Sequence, residues 1–440
     1  MGTPFISILI PWISGRGIAP RTIGSWTHSQ ISPRAASEVI VATPGDGREV
    51  FSTIGGLIDD FGIKVLTGAG ASYPELINAC AREAKAPWIL VTELHVEARP
   101  DCIARVLDWI REDSIGLMGA PIKTFSKFRN RIGRMESSLY EAASQGWDDS
   151  SHWHNVRIRG TALRTRFFLE TGGFDARYEL ACDIAFGLEA GRQGCKFGRI
   201  ASAHADHWEN PNLLGVFGDA YFYSRGEAAF RLHGTPGLAE KHLGRSDVFQ
   251  SQLAQRGNIS LLQLRLLSRI FFATARFYLA RSNEQRIHHF RKAYVCVLEL
   301  GRSSLLNQAD LVRVDPPAHA NIPEDLGLMG LAAVGIYQDG WVGKKASFLL
   351  YSKFPKSVLR LEGMRPSIGK NQIRLAILID GKPADNRVLK PGDFSFCIAV
   401  EGTGTHSVRL LTRDVTPLPT PDGRRVSVLL KTLEFVEAPS

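Results

Sequence analysis

The spacing of apolar positions changes character twice along the chain. Over residues 5 to about 210, short β-branched apolar runs alternate with segments whose apolar residues recur every three or four positions. That order builds a mostly parallel sheet covered by helices. Strands are predicted at Phe5 to Ile10, Glu38 to Ala42, Ile63 to Leu66 and Trp88 to Val91. Between the last two, Tyr73 to Lys85 reads as a helix with Leu76, Ile77, Ala79, Cys80 and Ala84 as its buried positions. Pro100 precedes a second helix, Asp101 to Arg111, with Ile103, Val106, Leu107 and Ile110 on one face. From about 212 to 313 the strand signal disappears and helices take over. After Pro316 and Pro317, seven β-like runs, beginning with Leu331 to Tyr337 and ending with Arg424 to Val436, are separated by Gly, Pro and Asp turns, the spacing of an antiparallel sandwich. The expected organisation is therefore α/β, with a Rossmann-like, mostly parallel sheet over 1–211, a helical segment over 212–315 and a β-sandwich over 316–440.

Composition narrows the class of protein. With 440 residues, 44% of them hydrophobic and 22% charged, the chain is expected to fold into two or three ordered domains, and fibrous or disordered classes are excluded. The formal charge of +9 favours an anionic partner, such as a nucleotide, an acidic lipid or a charged glycan. No nucleic-acid partner is expected, because the charge comes without a recognition motif. The six cysteines are scattered with no CxxC pair, which suits buried thiols in a reducing compartment. Pro11 closes the first apolar run and no basic region precedes it, so it reads as a strand and not a signal peptide, and the expected location is cytoplasmic.

The most apolar later stretch, Ile259 to Arg281, is interrupted by Arg265, Arg269 and Arg276, which excludes a transmembrane span there. From Gln250 to Arg313 there are ten Lys and Arg against three Asp and Glu, a net of +7. At about 100° per residue the three arginines share one stripe. Such a helix either packs internally or lies on anionic lipid, which would place the protein peripherally at the inner face of the cell membrane.

Candidate chemistry sits at several spaced elements of the first half. Ile6 to Ile10 runs into Pro11, and Glu38 to Ala42 runs into Thr43-Pro44. Asn78 lies on the predicted Tyr73 to Lys85 helix, and Thr92-Glu93-Leu94-His95 follows the strand Trp88 to Val91. Gly172-Gly173-Phe174-Asp175 precedes Asp183, nine residues after Phe174, and His207 stands thirteen residues after Gly194. Carboxylate and neutral imidazole together suit a divalent ion. Asp183 suits a general base or a helix cap. Taken alone, Glu93 and His95 also read as a solvated loop, His207 as a packing residue, and Arg157, Arg159 and Arg164 as solvated charges or phosphate contacts.

Together, over residues 4 to 210, these elements resemble glycosyltransferase family 2, the inverting GT-A transferases that use nucleotide sugars. The resemblance is to a branch in which Glu-Asp-His replaces the usual Asp-x-Asp. It implies a GT-A fold, with Pro11, Thr43, Asn78 and Glu93 on the nucleotide-sugar side. Glu93, His95 and His207 would hold Mn2+ or Mg2+, and Asp183 would be the general base. It further implies transfer of a sugar to a hydroxyl of a glycan or lipid-linked acceptor, in bacterial surface polysaccharide or glycoconjugate synthesis. The chain departs from the family pattern at Thr43-Pro44, Leu94, Cys182 and Glu189, where acids, or in the last case an arginine, usually stand. Those departures keep open a second expectation, an inactive GT-A homologue that binds glycans or serves as a scaffold. The seven C-terminal runs are similar to accessory domains of bacterial glycosyltransferases.

Overall fold

The computed structural model describes residues 4–13, 15–28, 37–144, 156–235, 237–243, 259–305, 316–326, 333–337, 339–369, 371–419 and 424–438. They form two compact units, Met1–Glu227 with Ser268–Gly301, and Ala228–Leu267 with Arg302–Ser440. The helical stretch 212–315 therefore contributes to both.

The first unit is built on an eight-stranded mixed sheet. Its strands are β1 (Ile6–Pro11), β2 (Ser37–Ala42), β3 (Lys64–Leu66), β4 (Trp88–Val91), β5 (Val96–Ala98), β6 (Gly119–Lys127), β7 (Thr161–Arg164) and β8 (Ile200–Trp208), in the spatial order β3-β2-β1-β4-β7-β6-β8-β5. The four strands predicted here are present within a residue or so. β1 and β4 are buried at every position, which is why they read as unbroken apolar runs without alternation. Parallel pairing joins β3, β2, β1 and β4, and again β6 and β8, whereas β7 and β5 run antiparallel to their neighbours. The apolar core includes Ile8, Ile10, Val41 and Leu90 from the sheet and Trp26 and Val106 from helices.

Helices α1 (Ala19–His28), α2 (Arg48–Phe61), α3 (Tyr73–Glu83) and α4 (Cys102–Glu112) lie in the first part of this unit. α3 starts at the capping box of Ser72 and Glu75, with Pro74 in its first turn. It buries Leu76, Ile77 and Cys80 as the spacing requires, together with Tyr73, Pro74 and Ala81, while Ala79 and Ala84 are only half-buried. α4 buries Ile103, Val106 and Leu107, with Trp109 and not Ile110 completing its inner face. Further helices are Leu213–His233, Leu238–Leu243, Ile259–Leu279 and Asn283–Ser303. No helix among the described residues is long and apolar enough to cross a membrane.

The C-terminal part carries an antiparallel sheet of nine strands, with a separate two-stranded hairpin beside it. Among its members are His319–Asn321, Trp341–Ser352, Lys356–Arg365, Gly392–Glu401, Gly404–Leu411 and Val428–Glu437. Lys382–Leu389 forms an edge strand that the apolar pattern does not signal, since Leu389 is its one buried residue. The run Arg424 to Val436 divides into Arg425–Val426, which closes the hairpin, and the long strand Val428–Glu437.

One contact ties α1 directly to β5. Trp26 is fully buried, and its indole Nε1 donates to the carbonyl of Val96 at 2.8 Å. Trp26→Ala removes both the packing and that hydrogen bond, and is expected to lower the unfolding free energy of this unit by about 3–5 kcal/mol, read from urea denaturation.

Candidate active site

The chain crosses from β4, in the middle of the sheet, to β5, at its far edge, in four residues, 92 to 95. Antiparallel pairing sets Val96 opposite His207, and the Trp208 amide donates to the His95 carbonyl at 3.0 Å. That pairing brings His95 beside His207. In β8 the odd positions Ala203, Ala205 and His207 are buried, while His204 and Asp206 on the even positions are half-exposed. The period-2 pleat thus selects His207 for the interior. Asp206 instead pairs with Arg99 at 2.8 Å, and the His204 ring meets the Ala201 carbonyl.

Glu93, His95 and His207 are all buried, and their ligand atoms lie within 4.8 Å of one another. His95 Nε2 is 3.2 Å from His207 Nε2, and Glu93 Oε2 is 3.5 Å from the former and 3.6 Å from the latter. Two ligands about 2.0–2.2 Å from an ion, at tetrahedral or octahedral angles, are themselves about 3.0–3.5 Å apart. The three spacings therefore fit a shared divalent cation. Glu93 Oε2 also lacks a hydrogen-bond partner although it is buried, a costly condition that a cation relieves. The solvated-loop reading of Glu93 and His95 is corrected here: burial leaves no room for it.

Electrostatics prepares the same atoms. Burial resists ionisation of Glu93, yet His95, His207 and Arg159 together hold its carboxyl well below the usual range, with the Arg159 Nε 3.9 Å away. Burial and then the Arg16 guanidinium hold the His95 imidazole well below its usual value, so it is neutral at pH 7. An anionic oxygen and a neutral imidazole are the forms that bind metal.

Behind the triad lie residues that sequence reasoning missed. His207 Nδ1 meets Glu209 Oε1 at 3.0 Å, and the same oxygen accepts from Ser126 Oγ at 2.7 Å. Burial raises the Glu209 carboxyl, but His207 and Arg159 outweigh it and bring it to about 2. A carboxylate on the far nitrogen of a ligating histidine fixes its tautomer and orientation. Arg16, held at φ 45°, donates to the Trp208 carbonyl and pairs with Asp219 at 2.8 Å. Asn210 joins Asp219 to Glu136. The available signal was the offset of two residues from His207 to Glu209, too common to stand out.

Asp183 lies in the first turn of the helix Cys182–Arg192 and is buried. Its Oδ1 accepts from its neighbour Ile184 N at 2.7 Å and its Oδ2 from Ile158 N at 3.0 Å; the capping role is corrected, because the helix begins at Cys182 and its N-cap is Ala181. Burial, opposed by those two bonds, pushes its carboxyl up to about 6, and the Glu93 charge adds to the rise. The Tyr73 hydroxyl spans the backbone beside the two carboxylates, lying 3.2 Å from the Thr92 carbonyl and 3.4 Å from that of Ile158. Just before Asp183, Glu179 adopts φ 44°, ψ −123°, a strained conformation for a residue other than glycine.

Asn78 on α3 reaches the Gly-Gly-Phe-Asp loop. Its amide nitrogen donates to the Phe174 carbonyl at 2.7 Å and its oxygen accepts from Phe174 N at 2.9 Å. Gly173 is required there: its φ is +72°, and a Cβ would come 2.4 Å from Asn78 Oδ1. Asn78 is thus a support for this loop. Pro11 ends β1 opposite Ala42, and Thr43 follows β2, hydrogen-bonded through its backbone to Leu66 and Ala69. Their hydrogen bonds serve the sheet edge and do not reach the triad.

The departures from the family pattern have local explanations. Leu94 is buried in the apolar core, Cys182 is buried with its thiol raised well above the usual value by desolvation, and Glu189 pairs with Arg192 at 3.0 Å. Arg164 is half-exposed and already engaged, since it donates to the Leu117 and Ser114 carbonyls and lies over the Trp88 ring. Arg157 is half-buried, and desolvation lowers its pKa.

No family model and no curated protein matches the chain. Among solved structures it is similar to the mannosyltransferase PcManGT from Pyrobaculum calidifontis in complex with GDP-Man and Mn2+, at 13% identity and a TM-score of 0.45, over 68% of this chain and 87% of that one. It is also similar to S. aureus TarS, at 11% identity and a TM-score of 0.38, over 99% of this chain and 86% of that one. TarS 1–349 in complex with UDP-GlcNAc gives 11% and 0.39, over 69% and 92%. Likenesses this distant do not identify what the chain does.

Glu209→Gln leaves the shape of the second carboxylate but removes its charge from His207. We expect Mn2+ affinity, measured by calorimetric titration, to fall about 10–100-fold, and His207→Ala to abolish it. Unchanged affinity in both variants would show that the triad holds no ion.

Proposed function

We propose that the protein is an inverting, metal-assisted glycosyltransferase that moves a sugar from a nucleotide-sugar donor to a hydroxyl of a glycan or lipid-linked acceptor, in surface polysaccharide or glycoconjugate synthesis. One observation carries this reading: a buried Glu93–His95–His207 triad spaced for a divalent ion stands in electrostatic contact with a second buried carboxylate, Asp183, that titrates near neutral pH. A passive binding module has no need of a cation site beside a separate poised base.

Glu93, His95 and His207 are the residues to hold Mn2+ or Mg2+. A divalent ion there would supply positive charge to a diphosphate leaving group. Asp183 takes the proton of the acceptor hydroxyl as that oxygen attacks the anomeric carbon, and attack on the face opposite the leaving group inverts the configuration. A carboxyl near 6 is mostly ionised at pH 7 yet basic enough to accept a proton, the compromise general-base catalysis requires. Its two backbone hydrogen bonds aim the carboxylate, and lone pairs remain for the acceptor. Asn78 holds the Gly-Gly-Phe loop that leads into Asp183. Pro11 and Thr43 are assigned to the nucleotide side, a reading supported by their positions at the carboxyl ends of β1 and β2, since ligands of open α/β sheets bind beyond those ends.

The primary experiment is a panel of nucleotide sugars assayed for released nucleoside diphosphate with and without Mn2+ or Mg2+. Release that needs neither metal nor acceptor would overturn the reading. With an active donor in hand, Asp183→Asn should lower turnover by about 100-fold or more while donor affinity changes only a few-fold. Near-normal turnover in that variant removes Asp183 from the role.

The wild-type rate should also depend on pH in a definite direction. The base acts in its ionised form, so the rate should fall about tenfold per pH unit below about 6 and level off above it. A rate that is flat from pH 5 to about 8 assigns the proton transfer elsewhere.

A further inference from the structure

The helix Ile259–Leu279 shows an apolar face to solvent. Seven of the seventeen exposed large apolar side chains among the described residues lie on it, and Phe271 is 68% and Leu279 79% exposed. At about 100° per residue, Leu264, Leu267, Phe271, Phe272, Tyr278 and Leu279 fall within one sector about 140° wide. Leu266, Ala273 and Phe277 occupy the opposite side and are buried, Phe277 against Met135, Leu213, Val216 and Phe290. The helix is therefore already anchored by one face, and the other is a second, separate apolar surface. Concentration of so many apolar side chains on one exposed stripe marks an interaction surface.

Charge decides what it meets. Arg265, Arg269 and Arg276 are exposed and lie along one flank of the stripe, within about 40° of each other. The helix contains no acidic residue, and the exposed Arg281, Arg291 and Lys292 follow on the connection and on the next helix. A second copy laid face to face would bring arginine flanks together with no carboxylate on either helix to offset them. An anionic bilayer satisfies both features, since acyl chains accept the leucines and phenylalanines while headgroup phosphates accept the guanidinium groups. We propose that this helix is a membrane-surface anchor that lies in the plane of an anionic bilayer. Its length of about 31 Å gives it a broad footprint along the interface. The inference does not depend on the reading of the Glu93 site.

The test is sedimentation of the full-length protein with phosphatidylcholine vesicles, with and without phosphatidylglycerol, at low and high salt. Binding should require phosphatidylglycerol and weaken as salt rises. Replacing Arg265, Arg269 and Arg276 by Gln should lower partitioning on the order of a hundredfold, and Phe271→Ser with Phe272→Ser should abolish it. These are exposed positions, so thermal unfolding of the variants should match the wild type. A Phe271→Trp reporter should shift its emission to the blue only with anionic vesicles. Equal binding to neutral vesicles overturns the role of the arginines. A dimer in solution that the phenylalanine variants dissociate, or a monomer that binds neither vesicle, overturns the anchor.

Discussion

Burying the Glu93 carboxylate is the constraint to which the rest of the site answers. Removing an ion from water costs several kcal/mol unless other charges and dipoles replace its hydration. Local structure cannot provide those partners, because the residues next to Glu93 are Thr92 and the core side chain Leu94. His95 comes close only through the pairing of β5 with β8, and His207 is contributed by β8 itself. Arg159, from the approach to β7, completes the set. Even so, one Glu93 oxygen remains without a hydrogen bond, a lone-pair position that a cation can take up. A site of this kind is more stable with a cation than without one.

That demand spreads outward through direct contacts. His207 must present one nitrogen to Glu93, so the other is taken by Glu209, which Ser126 fixes in turn. Arg16, Asp219, Asn210 and Glu136 continue the polar network behind β8, and Arg16 accepts a strained backbone to take part. These contacts restrain the triad's side chains, although Arg16 Nε and Glu209 Oε2 are buried without hydrogen-bond partners.

Asp183 belongs to the same electrostatic field but is handled differently. It is deprived of cationic neighbours close enough to offset its burial, and two backbone amides stabilise its charge only in part. Two carboxylates in one region are thus driven apart in acidity, Glu93 anionic throughout the working range and Asp183 near neutrality. Different environments acting on the same functional group give the two residues different chemical capacities. The thiol of Cys182 fits this scheme, because it stays neutral beside Asp183 where a second acid would add repulsion.

Much of this architecture was legible in the sequence, for reasons that are local. β1 and β4 are buried at every position and so are almost wholly apolar, and α3 and α4 show a helical period because each has one buried side. Glu93, His95 and His207 could be picked out from their spacing, and the fold brings them together. Other features were silent. Lys382–Leu389 is an edge strand and needs few apolar residues. β5 has three residues, too few for periodicity to register. Above all, the distance from Glu93 to His207 exists only after β8 has paired with β5, and the partner of Glu209 or Asn78 is a consequence of that folded proximity. Amino-acid order sets the periodicity of each element because neighbours along the chain determine which face is buried. Which buried charges meet is decided by strand pairing across more than a hundred residues, where no local signal reaches.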